Sequence, residues 1–388
     1  MQFLSVYLHI PFCRYRCSYC AFNIYTDRFH LVEHYIGALC EEIRWMGQGE
    51  AVHTIYLGGG TPSLLSIPHL ERILLRLDTC FDIQHNCEMT LEINPGTVDA
   101  AYLAALRNCG VNRISIGMQS ALEHELRLFE RDHSLQETLS CMKMAHQAGF
   151  DNITMDLIYG VPGQTLSDWE TSLDVALGMQ PDHFSLYALQ LESGTYLTRR
   201  VKHGEIPAPD DDLAADMYEL AGEKLEKAGF EQYEISSWSK PGYTSRHNLQ
   251  YWHNQSYLGI GAGAHGYAGG FRTVNTMRPE RYIERLEAQK TPLPYPRTGA
   301  TQSFEEVSRS QEIFETIMLG LRLLKEGFSR QDFENRFGVS LESLYGNEIQ
   351  RLKSQNLLRE SDEKLYLTRE ARLISNRVFE AFVPEIIS

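Results

Sequence analysis

The chain has 388 residues, 51 acidic against 36 basic side chains, a net charge of −15 and an apolar share of 43%. That length and apolar content suffice for a large core shared between two domains, while the acidic balance excludes a general nucleic-acid surface. No run of about 18 apolar residues spans a bilayer, and no charged-then-apolar leader opens the chain, so the eight cysteines are expected to stay reduced in the cytoplasm.

In chain order, the first strand, Leu4–His9, leads into His9-Ile-Pro-Phe-Cys13-Arg-Tyr-Arg-Cys17-Ser-Tyr-Cys20-Ala-Phe22. Three thiolates in one short loop can hold three corners of a 4Fe-4S cubane and leave the fourth iron without a protein ligand. By the logic that separates catalytic from structural zinc, an open position is a reaction site. A zinc site is the plain alternative, and it lacks a fourth ligand nearby. Cys40, Cys80, Cys87, Cys109 and Cys141 read as separate core or surface thiols.

Further short apolar runs follow at Thr54–Leu57, Met89–Ile93, Arg113–Ile116, Asn152–Leu157 and His183–Tyr187, alternating with segments of helical period. This rhythm predicts an α/β fold of βα units around a parallel sheet, a partial (β/α)6 barrel whose active site gathers at the C-terminal strand ends. Gly58-Gly59-Gly60-Thr61-Pro62 follows the second strand, where consecutive glycines let backbone approach a ligand, or simply turn the chain. Glu92, Gln119 and Asp156 close later strands, and Arg131 follows one. Ribose hydroxyls, a carboxylate and an adenine edge need such donors and acceptors, although each residue alone reads equally well as a cap or a surface ion pair.

After Glu231 the βα rhythm stops. Ser245-Arg-His247-Asn248-Leu-Gln-Tyr251-Trp252 combines an imidazole able to ligate haem iron with aromatics able to stack on a porphyrin, though a histidine among aromatics is more often a satisfied core residue. Gly261, Gly263 and Gly266 form G-x-G-x-x-G, but no helix opens there and no βαβ unit follows, so a close-packed turn facing the barrel mouth is expected rather than a dinucleotide site. The proline-rich Lys290–Pro296 reads as an extended connection. Segments Glu312–Leu324, Ser329–Phe337, Leu341–Gln355 and Leu367–Phe382 are helical in period, with Ser329 and Thr368 as N-caps and a short strand at Lys364–Leu367. Three parts are expected: 1–235, 236–300 and 301–388.

The C-x3-C-x2-C spacing resembles that of the radical S-adenosylmethionine superfamily. Tyr7-Leu-His-Ile-Pro-Phe12, the Gly58–Pro62 loop and the C-terminal pattern resemble the oxygen-independent coproporphyrinogen III oxidase family over nearly the whole chain. The resemblance implies a radical S-adenosylmethionine barrel with a small, mainly helical, winged-helix-like C-terminal domain. It implies a 4Fe-4S cluster on Cys13, Cys17 and Cys20 with one open iron. It also implies one S-adenosylmethionine, or two, contacted by Tyr7, Tyr19, Gly59, Gly60, Thr61, Glu92, Gln119, Arg131 and Asp156. His247-Asn248-x-x-Tyr251-Trp252 resembles the motif of the haem-chaperone branch, which implies haem as cargo held by His247, Tyr251 and Trp252.

Two functions follow from that resemblance. One is delivery of haem to apo-haemoproteins such as respiratory enzymes, with a peripheral membrane contact and no nucleic acid. The other is coproporphyrinogen III dehydrogenation, and a haem-modifying methyltransferase is a more distant third. The dehydrogenase is expected to carry a fourth cysteine two residues after the third and a longer N-terminal extension. Phe22 stands at that position here, and twelve residues precede Cys13. Both favour delivery, with cofactor cleavage compatible with the motif and coproporphyrinogen dehydrogenation not expected.

Overall fold

The computed structural model describes residues 4–384; the outermost ends of the first and third expected parts, 1–3 and 385–388, lie outside it. Strands and helices alternate as β1 (Leu4–Ile10), α1 (Val32–Met46), β2 (Ala51–Gly59), α2 (Ile67–Cys80), β3 (Asp82–Ile93), α3 (Ala100–Asn108), β4 (Arg113–Gln119), α4 (Glu123–Leu128), α5 (Leu135–Gln147), β5 (Ile153–Tyr159), α6 (Leu166–Gly178) and β6 (His183–Ala188). The six strands pair in parallel in chain order, and each expected apolar run except the first residue of the fifth, Asn152, falls inside one of them. Capping boxes start two of the covering helices, Ser134 with Glu137 on α5 and Thr165 with Asp168 on α6.

Parallel strands buried on both faces ordinarily read as continuous apolar runs. Here one face is polar. Leu4, Val6 and Leu8, Ile55 and Leu57, Ile114 and Ile116, Met155 and Leu157, Phe184 and Leu186 pack in the core under the helices. The intervening Ser5, Thr54, Thr90, Arg113, Ser115, Thr154, His183 and Ser185 are buried as well, on the inner face of the curved sheet. A polar lumen inside an apolar shell is the wall of a cavity.

The sheet continues beyond the βα rhythm on both edges. After α7 (Tyr196–Lys202) and α8 (Asp211–Lys227), β8 (Ser237–Ser239) pairs antiparallel with β6, and β7 (Glu231–Glu234) pairs antiparallel with β8 at the edge. Then α9 (Arg246–Trp252) leads to β9 (Tyr257–Ile260), parallel to β1. It is followed by antiparallel β10 (His265–Ala268), β11 (Phe271–Asn275) and, after α10 (Pro279–Ala288), β12 (Thr301–Glu306). The result is a 12-stranded mixed sheet, to which residues 236–300 contribute β8 to β11. The turn at Gly261 and Gly263 is fixed by close packing, because a Cβ on Gly261 would stand 2.5 Å from the His9 carbonyl oxygen and one on Gly263 2.5 Å from Asn23. Buried Glu42 of α1 locks this turn by accepting from the Gly261 amide at 2.8 Å, Asn275 at 2.8 Å, Tyr282 at 2.6 Å and Thr298 at 2.9 Å.

A second core forms from α11 (Arg309–Gly320), β13 (Phe328–Ser329), α12 (Arg330–Phe337), α13 (Leu341–Ser354), β14 (Leu358–Ser361), β15 (Lys364–Leu367), α14 (Arg369–Leu373) and α15 (Ser375–Glu380). Its three strands pair antiparallel in the order β13-β15-β14, the wing beside the helices. Ser329 and Thr368 cap α12 and α14 through the amides of Asp332 and Ala371. The single helix expected over Leu367–Phe382 is instead a strand end and two short helices, broken at Ile374, whose φ of −118° and ψ of 27° are not helical. Among the described residues no helix is long and apolar enough to cross a membrane.

Candidate functional site

The loop between β1 and α1 carries the three cysteines and is pinned on three sides. Cys13 donates its amide to the Tyr25 carbonyl at 3.1 Å, Ser18 donates its amide to Phe129 at 2.9 Å and its hydroxyl to Leu128 at 2.6 Å, and Leu197 donates to the Ser18 carbonyl at 2.8 Å. The thiols therefore face the C-terminal ends of the strands and line one cavity with Tyr19, Gly59, Gly60, Thr61, Glu92, Gln119, Arg131 and Asp156. Its volume of about 440 Å³ is that of a small-molecule site.

Burial pushes the Cys13 thiol up to about 11 and raises Cys20, while the Thr61 hydroxyl, 3.2 Å from the Cys13 sulfur, works the other way. Arg131 directs Nη1 at the Cys17 sulfur at 3.6 Å and anchors Nη2 on the Gly117 carbonyl at 2.9 Å. Beside it, burial and the guanidinium hold His133 down at about 4, so that ring stays neutral. A cation against three thiolates offsets the charge that metal binding creates by deprotonating them. The spacing fits a cluster better than a single ion. Ligands of one tetrahedral zinc stand about 2.3 Å from it and close to each other, whereas the three sulfurs are not among the groups whose ligand atoms all lie within 4.8 Å of one another.

Glu92 at the end of β3 accepts from the Tyr56 hydroxyl at 2.9 Å and from the Gly59 amide at 3.1 Å. Burial, with Asp156 adding repulsion, pushes its carboxyl up to about 7. Asp156 accepts from Ser115 at 2.8 Å and is also raised by burial. Gln119 sits at a β-bulge of β4 with φ of 65°, which turns its side chain out of the ladder and toward the cavity. The glycine loop is shaped by packing. A Cβ on Gly60 would lie 2.7 Å from both the Ile10 and Phe12 carbonyl oxygens, and Gly59 has φ of 109° with His9 2.5 Å away.

Four expected contact residues stand behind the cavity rather than on it. Tyr7 donates to His9 Nδ1 at 3.0 Å and stacks near Tyr56, with ring centres 6.1 Å apart, so it supports the wall. His247 does not present a free imidazole. It is 1% exposed, its Nδ1 pairs with Thr54 at 2.8 Å, its Nε2 pairs with Tyr251 at 2.8 Å, and its ring stacks on Tyr56 at 5.1 Å. Burial drops its pKa to about 3 and keeps it neutral. Trp252 lies under the Arg322 guanidinium, 4.2 Å from the ring centre. The member of that motif on the cavity wall is Asn248, joined there by Tyr56, Arg113, Ser115, Thr154, Ser185 and Tyr187, which the sequence placed in strands but not in the site. The polar-apolar alternation of Arg113–Gln119 and of Thr154–Asp156 is the signal that identifies their inward face.

The Radical SAM superfamily model matches residues 7–176, and the HemN C-terminal domain model matches residues 307–374. The curated heme chaperone HemW proteins of Bacillus subtilis strain 168 and Escherichia coli K12 are 38% and 34% identical to this chain. Each alignment covers 98% of it, and they cover 100% and 98% of those relatives. The chain belongs to the HemW family. Membership of this radical S-adenosylmethionine family implies a 4Fe-4S cluster and S-adenosylmethionine as cofactors, which the thiol spacing and the cationic Arg131 suit. Among solved structures, coproporphyrinogen III oxidase (HemN) from Escherichia coli, a radical S-adenosylmethionine enzyme, superimposes with a TM-score of 0.85. It does so over 99% of this chain and 91% of its own at 21% identity, so the HemW-family chain shares its fold.

Proposed function

We propose that this protein binds haem and passes it to apo-haemoproteins in the cytoplasm, while Cys13, Cys17 and Cys20 hold a 4Fe-4S cluster and the lumen holds S-adenosylmethionine. The observation that carries the haem reading is an aromatic rim in a chain that aligns end to end with haem chaperones. Tyr15 is 63%, Phe22 66% and Tyr187 47% exposed, and all three border the cavity that the cysteines line. Large apolar side chains left in water beside a cavity mark a binding surface, and flat rings suit a planar macrocycle.

When bound, the cluster supplies an electron to the cofactor from an iron that no side chain ligates. The protein residues orient. Glu92, held by the Gly59 amide, faces the cluster end, Gln119 and Asp156 offer polar edges for a nucleoside, and Arg131 balances the thiolates. His247 serves as support in this reading: with both ring nitrogens engaged, it holds α9 against β2, so that Asn248 reaches the wall.

The test is an anaerobic incubation of cluster-loaded protein with coproporphyrinogen III, S-adenosylmethionine and a reductant, read by mass spectrometry, beside a transfer assay from haem-loaded protein to an apo-cytochrome. Haem transfer without decarboxylated porphyrin is expected. Decarboxylated product over several turnovers would make the protein a coproporphyrinogen dehydrogenase instead.

A further inference from the structure

Away from the lumen, the turn after β4 builds a second polar cluster. Glu125 and the neighbouring His124 stand in the first turn of α4, and Asp168 stands in the first turn of α6. One ring nitrogen of His124 and one oxygen of each carboxylate all lie within 4.8 Å of one another. Both carboxylates are anchored through a single oxygen. Glu125 accepts through Oε2 from the Ser120 hydroxyl at 2.6 Å and from Gln164 Nε2 at 3.2 Å. Asp168 accepts through Oδ2 from the Thr165 hydroxyl at 2.6 Å and the Thr165 amide at 2.9 Å. Glu125 is only 2% exposed, and its Oε1 is buried with no partner among the described residues.

Acidic residues in a first helical turn ordinarily complement the helix end. Asp168 does so as the far half of the capping box on α6. Glu125 does something else, since its bonds go to a hydroxyl and a side-chain amide, and its second oxygen is left over. A buried carboxylate oxygen without a donor is costly. Burial raises this carboxyl above its ordinary range, and Asp168 adds repulsion. A cation between the two carboxylates removes both penalties.

We infer that His124, Glu125 and Asp168 form a site for a divalent transition-metal ion, with Glu125 Oε1, an Asp168 oxygen and one imidazole nitrogen as ligands and water completing the shell. The hydrogen bonds from Ser120, Gln164 and Thr165 orient the carboxylates from behind, as outer partners of metal ligands do. The imidazole separates this set from a magnesium site of oxygens alone. The ion ties α4 to α6. Past the far end of α4, the Leu128 and Phe129 carbonyls hold Ser18 of the cluster loop at 2.6 and 2.9 Å, and Arg131 reaches the Cys17 sulfur at 3.6 Å. The site is thus a clamp on the segment that carries Arg131, and it depends on neither the haem nor the cofactor reading.

The experiment adds Mn²⁺ anaerobically to cluster-loaded wild type, His124→Ala and Glu125→Gln and reads free Mn²⁺ by room-temperature electron paramagnetic resonance, with Zn²⁺ or Mg²⁺ as competitor. Mn²⁺ is the probe because soft thiolates favour other metals. The expected result is a single saturable site in wild type, displaced by Zn²⁺ but not by the same concentration of Mg²⁺, and weakened by about tenfold or more in each variant. Saturating Mn²⁺ should also raise the thermal midpoint of wild type and leave that of His124→Ala unmoved. No saturable binding in wild type, equal affinity in wild type and His124→Ala, or displacement by Mg²⁺ as readily as by Zn²⁺ overturns the site. His124 is exposed, so His124→Ala decides the matter even if Glu125→Gln fails to fold.

Discussion

Glu92 spends both oxygens as acceptors, for Tyr56 and for the Gly59 amide, yet burial lifts its pKa to about 7. In the unfolded chain it titrates near about 4.3, so between these values the folded protein holds more proton. Its contribution to stability is therefore full below the unfolded value and is lost as pH rises through about 7. Thermal melts of cluster-free protein across this window should show that decline, and Glu92→Gln should flatten it; an unchanged slope would assign the decline to other groups. Cys17 lies against Arg131, and Cys17→Ala should abolish the 4Fe-4S absorbance after anaerobic reconstitution, whereas a fully loaded cluster in that variant would place the ligands elsewhere. The cysteines were readable from sequence because their spacing is local. His247 was not, since its partners Thr54 and Tyr56 come from a strand nearly two hundred residues earlier, and only the fold shows that they satisfy the ring.

At the scale of the element, strand β2 and its glycine turn decide where the cluster loop sits. Gly60 donates its amide to the Ile10 carbonyl at 2.8 Å and Thr61 donates to Phe12 at 2.8 Å. Gly60→Ala would drive a methyl group into those same two backbone oxygens, which have no rotamer to change. The expected cost is roughly 1–3 kcal/mol with lower cluster occupancy, measured by denaturant unfolding and iron content. Full occupancy with unchanged stability would show that the loop shifts freely. The six parallel strands were legible because their apolar residues repeat between helical segments. Their inner faces were equally present in the alternation of Arg113-Ile-Ser115-Ile-Gly117, but attention to apolar runs passes over the polar partners that build the lumen. Strands β7 to β12 have three to six residues each, too few periods to stand out.

Across the whole molecule, the second core docks on the barrel through the end of the His-Asn-x-x-Tyr-Trp segment. Arg322 stacks on Trp252 at 4.2 Å and pairs with Glu234 at 3.2 Å, a carboxylate whose side chain is 2% exposed. Arg336 adds a bond to the Asn254 carbonyl at 2.9 Å and an ion pair to Glu312 at 2.7 Å. Arg322→Ala removes the partner of a buried charge, so a loss on the order of 3 kcal/mol is expected in equilibrium unfolding; a change within about 0.5 kcal/mol would mean that the junction does not depend on Arg322. The motif thus joins the lumen wall, through Asn248, to the C-terminal core, through Trp252.

In the function proposed above, the lumen is a cofactor chamber built around a cluster with one iron open to a ligand. Electron paramagnetic resonance of the reduced, cluster-loaded protein, recorded with and without S-adenosylmethionine, tests it most directly. The expected result is a 4Fe-4S signal whose line shape changes when the cofactor is added. An intact signal that saturating S-adenosylmethionine leaves unmoved would contradict it.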